Sequence, residues 1–149
     1  FHEGATEHGF AITELVVKAL AICPKPDQVV VGMGPGPFTG LRVGITFARS
    51  FAMARDIPVI GVCSLDAIAV DQNEYTVAID ARRKEIYWAS YKDGQRVVGP
   101  EVSKPAEVSN FIIDQYPDLK KLVALSASQN VSEPMYLRRP DAVPTAERK

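Results

Sequence analysis

The run Gly34-Pro35-Gly36-Pro37-Phe38-Thr39-Gly40-Leu41-Arg42-Val43-Gly44 constrains this chain more than any other stretch. The apolar triplet Val29-Val30-Val31 precedes it, and an alternation of small and apolar residues follows through Ala54. That order predicts a strand, a glycine-rich turn and a helix. Such a junction can cradle a phosphate. Three features speak against that use here. The glycines at 32, 34, 36 and 40 match neither the dinucleotide nor the P-loop spacing, and no lysine follows them. Pro35 and Pro37 each delete a backbone N–H, whereas an anion nest needs successive donors. The better reading is a stiff turn that aims the next helix, with Thr39 as its candidate N-cap.

The helix predicted over Thr39–Arg55 places Gly40, Gly44, Ala48 and Ala52 at i, i+4 spacing. Glycine inside a helix costs about 1 kcal/mol relative to alanine. Two of them call for a reason, and close approach of another backbone supplies one. That backbone is either this chain's own or a partner's.

Around this unit the sequence predicts a helix from His8 to Ile22, stopped by Pro24 and Pro26, and strands over Gln28–Gly32 and Ile57–Val62. Strand, helix and strand make a parallel, right-handed crossover. Ser64 is expected to cap a short helix, Leu65–Val70. The pattern then changes to three strands, Tyr75–Asp80, Glu85–Tyr91 and Gln95–Val102, with Asp93-Gly94 as a hairpin turn. A helix over Pro105–Tyr116, with Val108, Phe111 and Ile112 on one face, a strand over Leu119–Leu125 and a loop from Ser126 complete the reading. Three units follow: a partial first lobe over residues 1–72, a second lobe over 73–133, and an extended tail over 134–149. The meander followed by helix and strand matches half of an actin/hexokinase-like (ribonuclease-H-like) α/β fold, whose first half here lacks its N-terminal strands.

Composition narrows the chemistry. The chain has 149 residues, a net charge of −1, 46% hydrophobic and 23% charged residues. No global basic field recruits nucleic acid, although a local basic patch stays open. No stretch is long and apolar enough to cross a membrane, and a cytoplasmic location is expected. Cys23 and Cys63 have no metal or disulfide spacing and read as small buried apolar residues. His2 and His8 are spaced too poorly for a metal pair. Asp80 closes a strand where a carboxylate can meet a ligand, and Arg82, Arg83 and Lys84 can meet an acidic partner; a solvated hairpin tip explains the same run. Arg42, in the first turn of a helix, opposes the macrodipole and so reaches outward or serves a partner. Arg138 and Arg139 read as docking residues or as solvated charge. No catalytic constellation emerges, which favours a binding or scaffold role.

Residues 34–65, GPGPFTGLRVGITFARSFAMARDIPVIGVCSL, resemble the TsaB/YeaZ family, with Gly34, Pro35, Gly36, Phe38, Thr39, Gly40 and Arg42 on its hallmark turn and Pro37 where serine is usual. Ile79-Asp80-Ala81-Arg82, with Glu85 and Tyr87, resembles its second-lobe hairpin, and Pro134-Met135-Tyr136-Leu137-Arg138 its C-terminal signature. The resemblance implies an actin/hexokinase-like fold and a part in making N6-threonylcarbamoyladenosine in tRNA. The expected partners are a TsaD-like subunit and a TsaE-like ATPase, with tRNA met only indirectly. ATP and metal are expected on those partners, and no cofactor on this chain. TsaD-like and glycoprotease-type proteins carry a His-x-x-x-His metal pair after the next strand; Ser64 and Ile68 stand there in this chain, and Ile68 cannot ligate a metal.

The leading expectation is a non-catalytic scaffold. It would bind TsaD through the Thr39–Arg55 and His8–Ile22 helices, with Gly40, Gly44, Ala48 and Ala52 allowing close packing and Leu15, Phe47 and Phe51 as anchors. The alternative is a nucleotide-dependent phosphotransferase or metallopeptidase-like enzyme with Asp80 and the Gly34–Gly36 turn at its site. A homodimer through the same helices is a third reading.

Overall fold

The computed structural model describes residues 8–113 and 115–138, with side chains from residue 11 onward. Its elements run α1 (His8–Ile22), β1 (Val29–Gly32), α2 (Phe38–Arg55), β2 (Val59–Val62), β3 (Glu74–Arg82), β4 (Glu85–Lys92), β5 (Gln95–Ser103), β6 (Phe111–Ile112) and α3 (Leu119–Leu125). The crossover expected from sequence is present. β1 and β2 pair in parallel, Val29 against Val59 through Gly32 against Val62, and α2 connects them. α2 stops at Asp56, which takes the left-handed conformation (φ 53°) and turns its N–H back to the carbonyls of Ala52 and Met53.

The second sheet has the order β5-β4-β3-β6. The antiparallel meander β3-β4-β5 matches the sequence reading, down to the tight turn at Asp93-Gly94, where both residues have positive φ. Thr76 and Val77 of β3 pair in parallel with Phe111 and Ile112 of β6.

Four local expectations need correction. Residues 105–116 do not form a helix: Pro105–Glu107 make a single 3-10 turn, and Phe111 and Ile112 become β6. Their apolar side chains suit either periodicity, and an open strand edge on β3 took them. Leu119–Leu125 is a helix rather than a strand; Asp118 caps it by accepting from the Lys121 N–H at 2.7 Å. Residues 65–70 form no helix: 65–67 are turns and Ile68 bridges to Pro117, with Leu65, Ala67 and Ile68 each pulled into the core. Finally, Thr39 is not the N-cap: α2 starts at Phe38 behind Pro37, with no side-chain cap.

The segment after β2 is the packing centre. Cys63, Leu65 and Ile68 lie buried against Tyr75 and Val77 of β3 and Ala89 and Tyr91 of β4. Tyr75 and Tyr91 face each other across the strands, stacked at 4.9 Å. Val62, Ala67 and Leu122 form a second cluster with Val30 and Leu125, so α3 seals the first sheet. Burying one such aliphatic side chain contributes roughly 1.5–3 kcal/mol. Cys63 is buried as expected, whereas Cys23, just beyond α1, is exposed.

Past α3 the chain becomes a strap over residues 129–138. The Val131 N–H donates to the Gly61 carbonyl at 2.8 Å, and the Met135 N–H to the Met33 carbonyl at 2.8 Å. Gly61 has no space for a side chain, because a Cβ there would run into the Val131 carbonyl and the Met33 side chain. Gly61→Ala is therefore expected to push the strap off β2 and to destabilise the fold by about 1–3 kcal/mol. Denaturant melts measure the loss, and amide exchange at Val131 and Met135 locates it.

Candidate functional site

The glycine-proline turn is closed by β2's continuation. The Gly34 N–H donates to Ser64 Oγ at 3.1 Å, and the Ser64 N–H donates to the Gly34 carbonyl at 2.8 Å. With Pro35 and Pro37 lacking N–H groups, few donors remain for an anion, which supports the stiff-turn reading over a phosphate cradle. Gly34 is required twice over. Its φ is +94°, and a Cβ would meet Leu41 Cδ2 at 2.9 Å and the Met135 carbonyl at 3.2 Å.

The strap brings together the three stretches that stood out separately in the sequence. At its far end Met135 bonds Met33, beside the turn. Tyr136 lies against Phe38 at 5.1 Å between ring centroids, and the Arg42 guanidinium sits over the same Phe38 ring at 5.4 Å. Arg42 thus lies over the first residue of α2, and its guanidinium is held by an aromatic face. Two residues on, Arg138 donates to the Ala81 carbonyl at 2.8 Å and pairs with Glu85 at 2.5 Å. Arg138 is a docking residue of the chain's own hairpin. The sequence left its role open, and the only signal was its place at the end of the Pro-Met-Tyr-Leu-Arg segment. Arg139 and His2 lie outside the described residues.

At the hairpin tip Arg82, Arg83 and Lys84 all take positive φ (64°, 54° and 62°) without a glycine among them. Each such residue costs roughly 1–2 kcal/mol. Asp80 holds the geometry by accepting the Arg82 N–H at 2.7 Å, and its other oxygen pairs with the Arg82 guanidinium at 3.3 Å. Asp80 therefore serves its own turn, the hairpin-tip role that its position also allowed.

Beneath the strap lies a buried polar cluster that sequence reasoning missed. Asp66 is 6% exposed. Tyr91 Oη donates to its Oδ1 at 2.8 Å, Gln129 Nε2 donates to its Oδ2 at 2.7 Å, and Arg96 Nε stands 3.5 Å from Oδ1. The Cys63 N–H donates to Gln129 Oε1 at 3.2 Å. Among the described residues no buried side-chain nitrogen or oxygen lacks a partner. Burial, and then the Asp66 charge, push the Cys63 thiol up to about 11 and the Tyr91 phenol upward. A thiol held protonated is a poor nucleophile and a poor metal ligand. Lys121 donates to the Ile68 carbonyl at 2.7 Å, and burial pushes its ammonium downward.

The small-residue stripe of α2 divides. Residues four apart advance about 40° around a helix, so the stripe turns by about 120° over its length. Ala48 and Ala52 end up inside, 6% and 1% exposed, and are unavailable to a partner. Gly40 and Gly44 end up outside, where an added Cβ would meet nothing within 4 Å. Phe47 and Phe51 are half-buried and stack at 6.1 Å, with the Arg55 guanidinium 4.8 Å from the Phe51 ring centre. Leu15 is 60% exposed on α1. Ser64 is taken by the turn, and Ile68 is buried in the core, so neither presents a metal ligand. Among the described residues no three His, Cys, Asp or Glu side chains group to hold a metal ion.

Residues 4–142 match the family model described as "TsaD: tRNA N6-adenosine threonylcarbamoyltransferase". An uncharacterised protein of Mycobacterium bovis is 41% identical over 169 residues, spanning 95% of this chain and 80% of its own length. One from Mycobacterium leprae is 44% identical over 149 residues, spanning 84% of this chain and 41% of its own length. The tRNA threonylcarbamoyladenosine biosynthesis protein TsaB of Escherichia coli is 45% identical over 72 residues, 44% of this chain and 31% of that one. YeaZ from Pseudomonas aeruginosa has the same fold, with a TM-score of 0.71 at 21% identity over 81% of this chain and 77% of that one. The chain belongs to the TsaB/YeaZ family. The M. bovis match extends over more residues than this whole chain contains, so that relative carries internal segments absent here.

Two outcomes follow from the buried cluster. In the native protein Ellman's reagent is expected to titrate Cys23 promptly and Cys63 only after denaturant is added. The Cys63 thiol also links stability to alkaline pH. Its pKa rises on folding from 9.0 to about 11, so its contribution is fully present below pH 9.0 and is lost as pH climbs through about 11. Tyr75 and Tyr91 shift in the same direction, each because of burial first and the Asp66 charge second. Denaturant melts between neutral pH and pH 11 should show this decline, and Cys63→Ala should lessen it.

Proposed function

We propose that this chain is a non-catalytic subunit in the synthesis of N6-threonylcarbamoyladenosine in tRNA, and that it binds a TsaD-like subunit through the outward face of α2 beside α1. The fold reading that goes with it is the two-lobed actin/hexokinase-like architecture, with β1-α2-β2 in one lobe and the meander in the other. One observation carries the proposal. Gly40 and Gly44 weaken α2 by about 1 kcal/mol each, and no contact within the described chain requires them. A partner backbone at close approach gives them a reason. Residues 40, 44, 47 and 51 follow the i, i+4, i+7, i+11 spacing of a helix-packing seam, and the half-buried Phe47 and Phe51 add aromatic area to it. Residues 45, 48 and 52 form the inward seam.

The relatives named TsaB support the tRNA-modification setting. ATP, metal and the TsaE-like ATPase belong, in this reading, to the partner side of the assembly. The enzyme alternative has less behind it: the Gly34 amide is engaged by Ser64, Asp80 by Arg82, and the Cys63 thiol is held protonated.

Calorimetry with the purified TsaD-like subunit of the same organism tests the proposal. Gly44→Leu is expected to weaken binding tenfold or more, about 1.4 kcal/mol or beyond, while the isolated chain melts no lower than the wild type. Binding unchanged by Gly44→Leu overturns the assignment of this face. Ala48→Arg is a control of the opposite kind: it places a charge in the core and is expected to unfold the chain. A homodimer through the same seam would disappear with the same Gly44→Leu substitution in sedimentation.

A further inference from the structure

We propose that the edge α2 shares with the strap binds a single-stranded stretch of RNA, with Arg42 and Arg49 on its phosphates and the Phe38–Tyr136 pair against a base. The inference rests on the tRNA setting proposed above and adds a direct contact that the scaffold reading did not include. The edge lies on a different flank of α2 from the Gly40–Gly44 seam.

The first observation is the charge of α2. Phe38–Arg55 contains Arg42, Arg49 and Arg55 and no acidic residue. Arg42 and Arg49 are seven positions apart, so they fall within about 20° of each other around the helix and roughly 10 Å apart along it. Both are exposed. What each touches leaves its charge in place: Arg42 lies over the Phe38 ring, and Arg49 donates to the Ser132 carbonyl at 2.8 Å. Among the described residues neither has a carboxylate within ion-pairing distance. Arg55 falls on another side, engaged by the Phe51 ring and the Pro24 carbonyl. The carboxylates around the edge do not cancel the pair. Asp66, beneath the strap, is taken by Tyr91, Gln129 and Arg96, and Glu85 at the strap's end is taken by Arg138. Glu133, exposed and next to Ser132, stands alone against the two guanidinium groups.

The second observation is aromatic surface left in water. Phe38 is 39% and Tyr136 43% exposed, and their rings meet at 5.1 Å with a 49° tilt. Rings of this size stabilise most when they are covered. These two stand open beside the Arg42 guanidinium. The strap passes from Ser132 at Arg49 to Tyr136 at Phe38, antiparallel to α2. Rings and cations therefore share one continuous edge, about 16 Å long from Phe38 to Arg49.

Chemistry then selects the ligand. A guanidinium fork suits phosphate oxygens, and an aromatic face accepts any nucleobase. Bases inside a duplex do not offer their faces, so the ring pair selects an unpaired stretch. An acidic peptide satisfies the forks but need carry no ring for Phe38 and Tyr136. RNA supplies phosphate and ring together, at the spacing of one chain.

The test is fluorescence anisotropy of a labelled oligoadenylate of about ten nucleotides with the full chain, between about 50 and 200 mM salt. Arg42→Glu is expected to weaken binding roughly tenfold at the lower salt and to make the salt dependence shallower, by about 0.7 in slope for each phosphate no longer neutralised. Tyr136→Leu keeps an apolar contact for Phe38 but removes a stacking face, and is expected to weaken binding about fivefold or more with the slope unchanged. Glu133→Gln removes the opposing charge and is expected to tighten binding roughly twofold. Lys92→Gln, on the meander, is expected to leave binding as it is, and thermal melts report whether each variant is folded. The proposal is overturned if the wild type does not bind the oligonucleotide at low salt, if folded Arg42→Glu or Tyr136→Leu binds as the wild type does, or if polyglutamate displaces the probe as well as polyadenylate does. Should those two variants fail to fold, Glu133→Gln decides, and an unchanged affinity overturns the proposal. Gly44→Leu, on the other flank, is expected to leave the RNA contact intact, so that contact and the subunit interface can each fail without the other.

Discussion

The structure depends on one buried carboxylate. Asp66 lies just past β2, out of water, and an unpaired charge in that position would cost several kcal/mol. Its partners come from three parts of the chain: Tyr91 on β4, Arg96 on β5 and Gln129 at the start of the strap. Satisfying that charge requires the first sheet's exit loop, the meander and the strap to be in place together. The apolar cluster around Leu65, Ile68, Tyr75 and Val77 supplies most of the packing, but apolar packing is indifferent to direction. The hydrogen bonds to Asp66 fix where each part sits.

The strap extends that control across the molecule. From Gln129 it passes Gly61, receives the Arg49 guanidinium on the Ser132 carbonyl, bonds Met33 and ends with Arg138 on the hairpin. It covers the ends of β1 and β2 from which the glycine-proline turn and the core loop depart. In a parallel sheet those carboxyl ends are where ligands usually bind. Here the chain's own segment occupies that ground.

α2 shows how one helix serves two surfaces. Its inward seam, Ile45, Ala48 and Ala52, is consumed by the core, and its outward seam retains two glycines that the core does not need. The strained backbone of the hairpin tip is held from within the chain, by Asp80 and Arg138.

Much of this was legible in the sequence. The β1-α2-β2 crossover, the meander and the Asp93-Gly94 turn follow from periodicity and turn chemistry, which act over a few residues. The family resemblance follows from the same short segments. Residues 105–116 and 119–125 were not legible, because short apolar runs suit helix and strand alike and the free edge of β3 and the face of the first sheet decided between them. The division of the small-residue stripe also needed the fold, since sequence spacing fixes the rotation along a helix but not which side meets the core. Nothing in its sequence context singled out Asp66. Its role, and that of Arg138, came from hydrogen-bond partners 25 to 63 positions away, and only the tertiary structure brings such distant groups together.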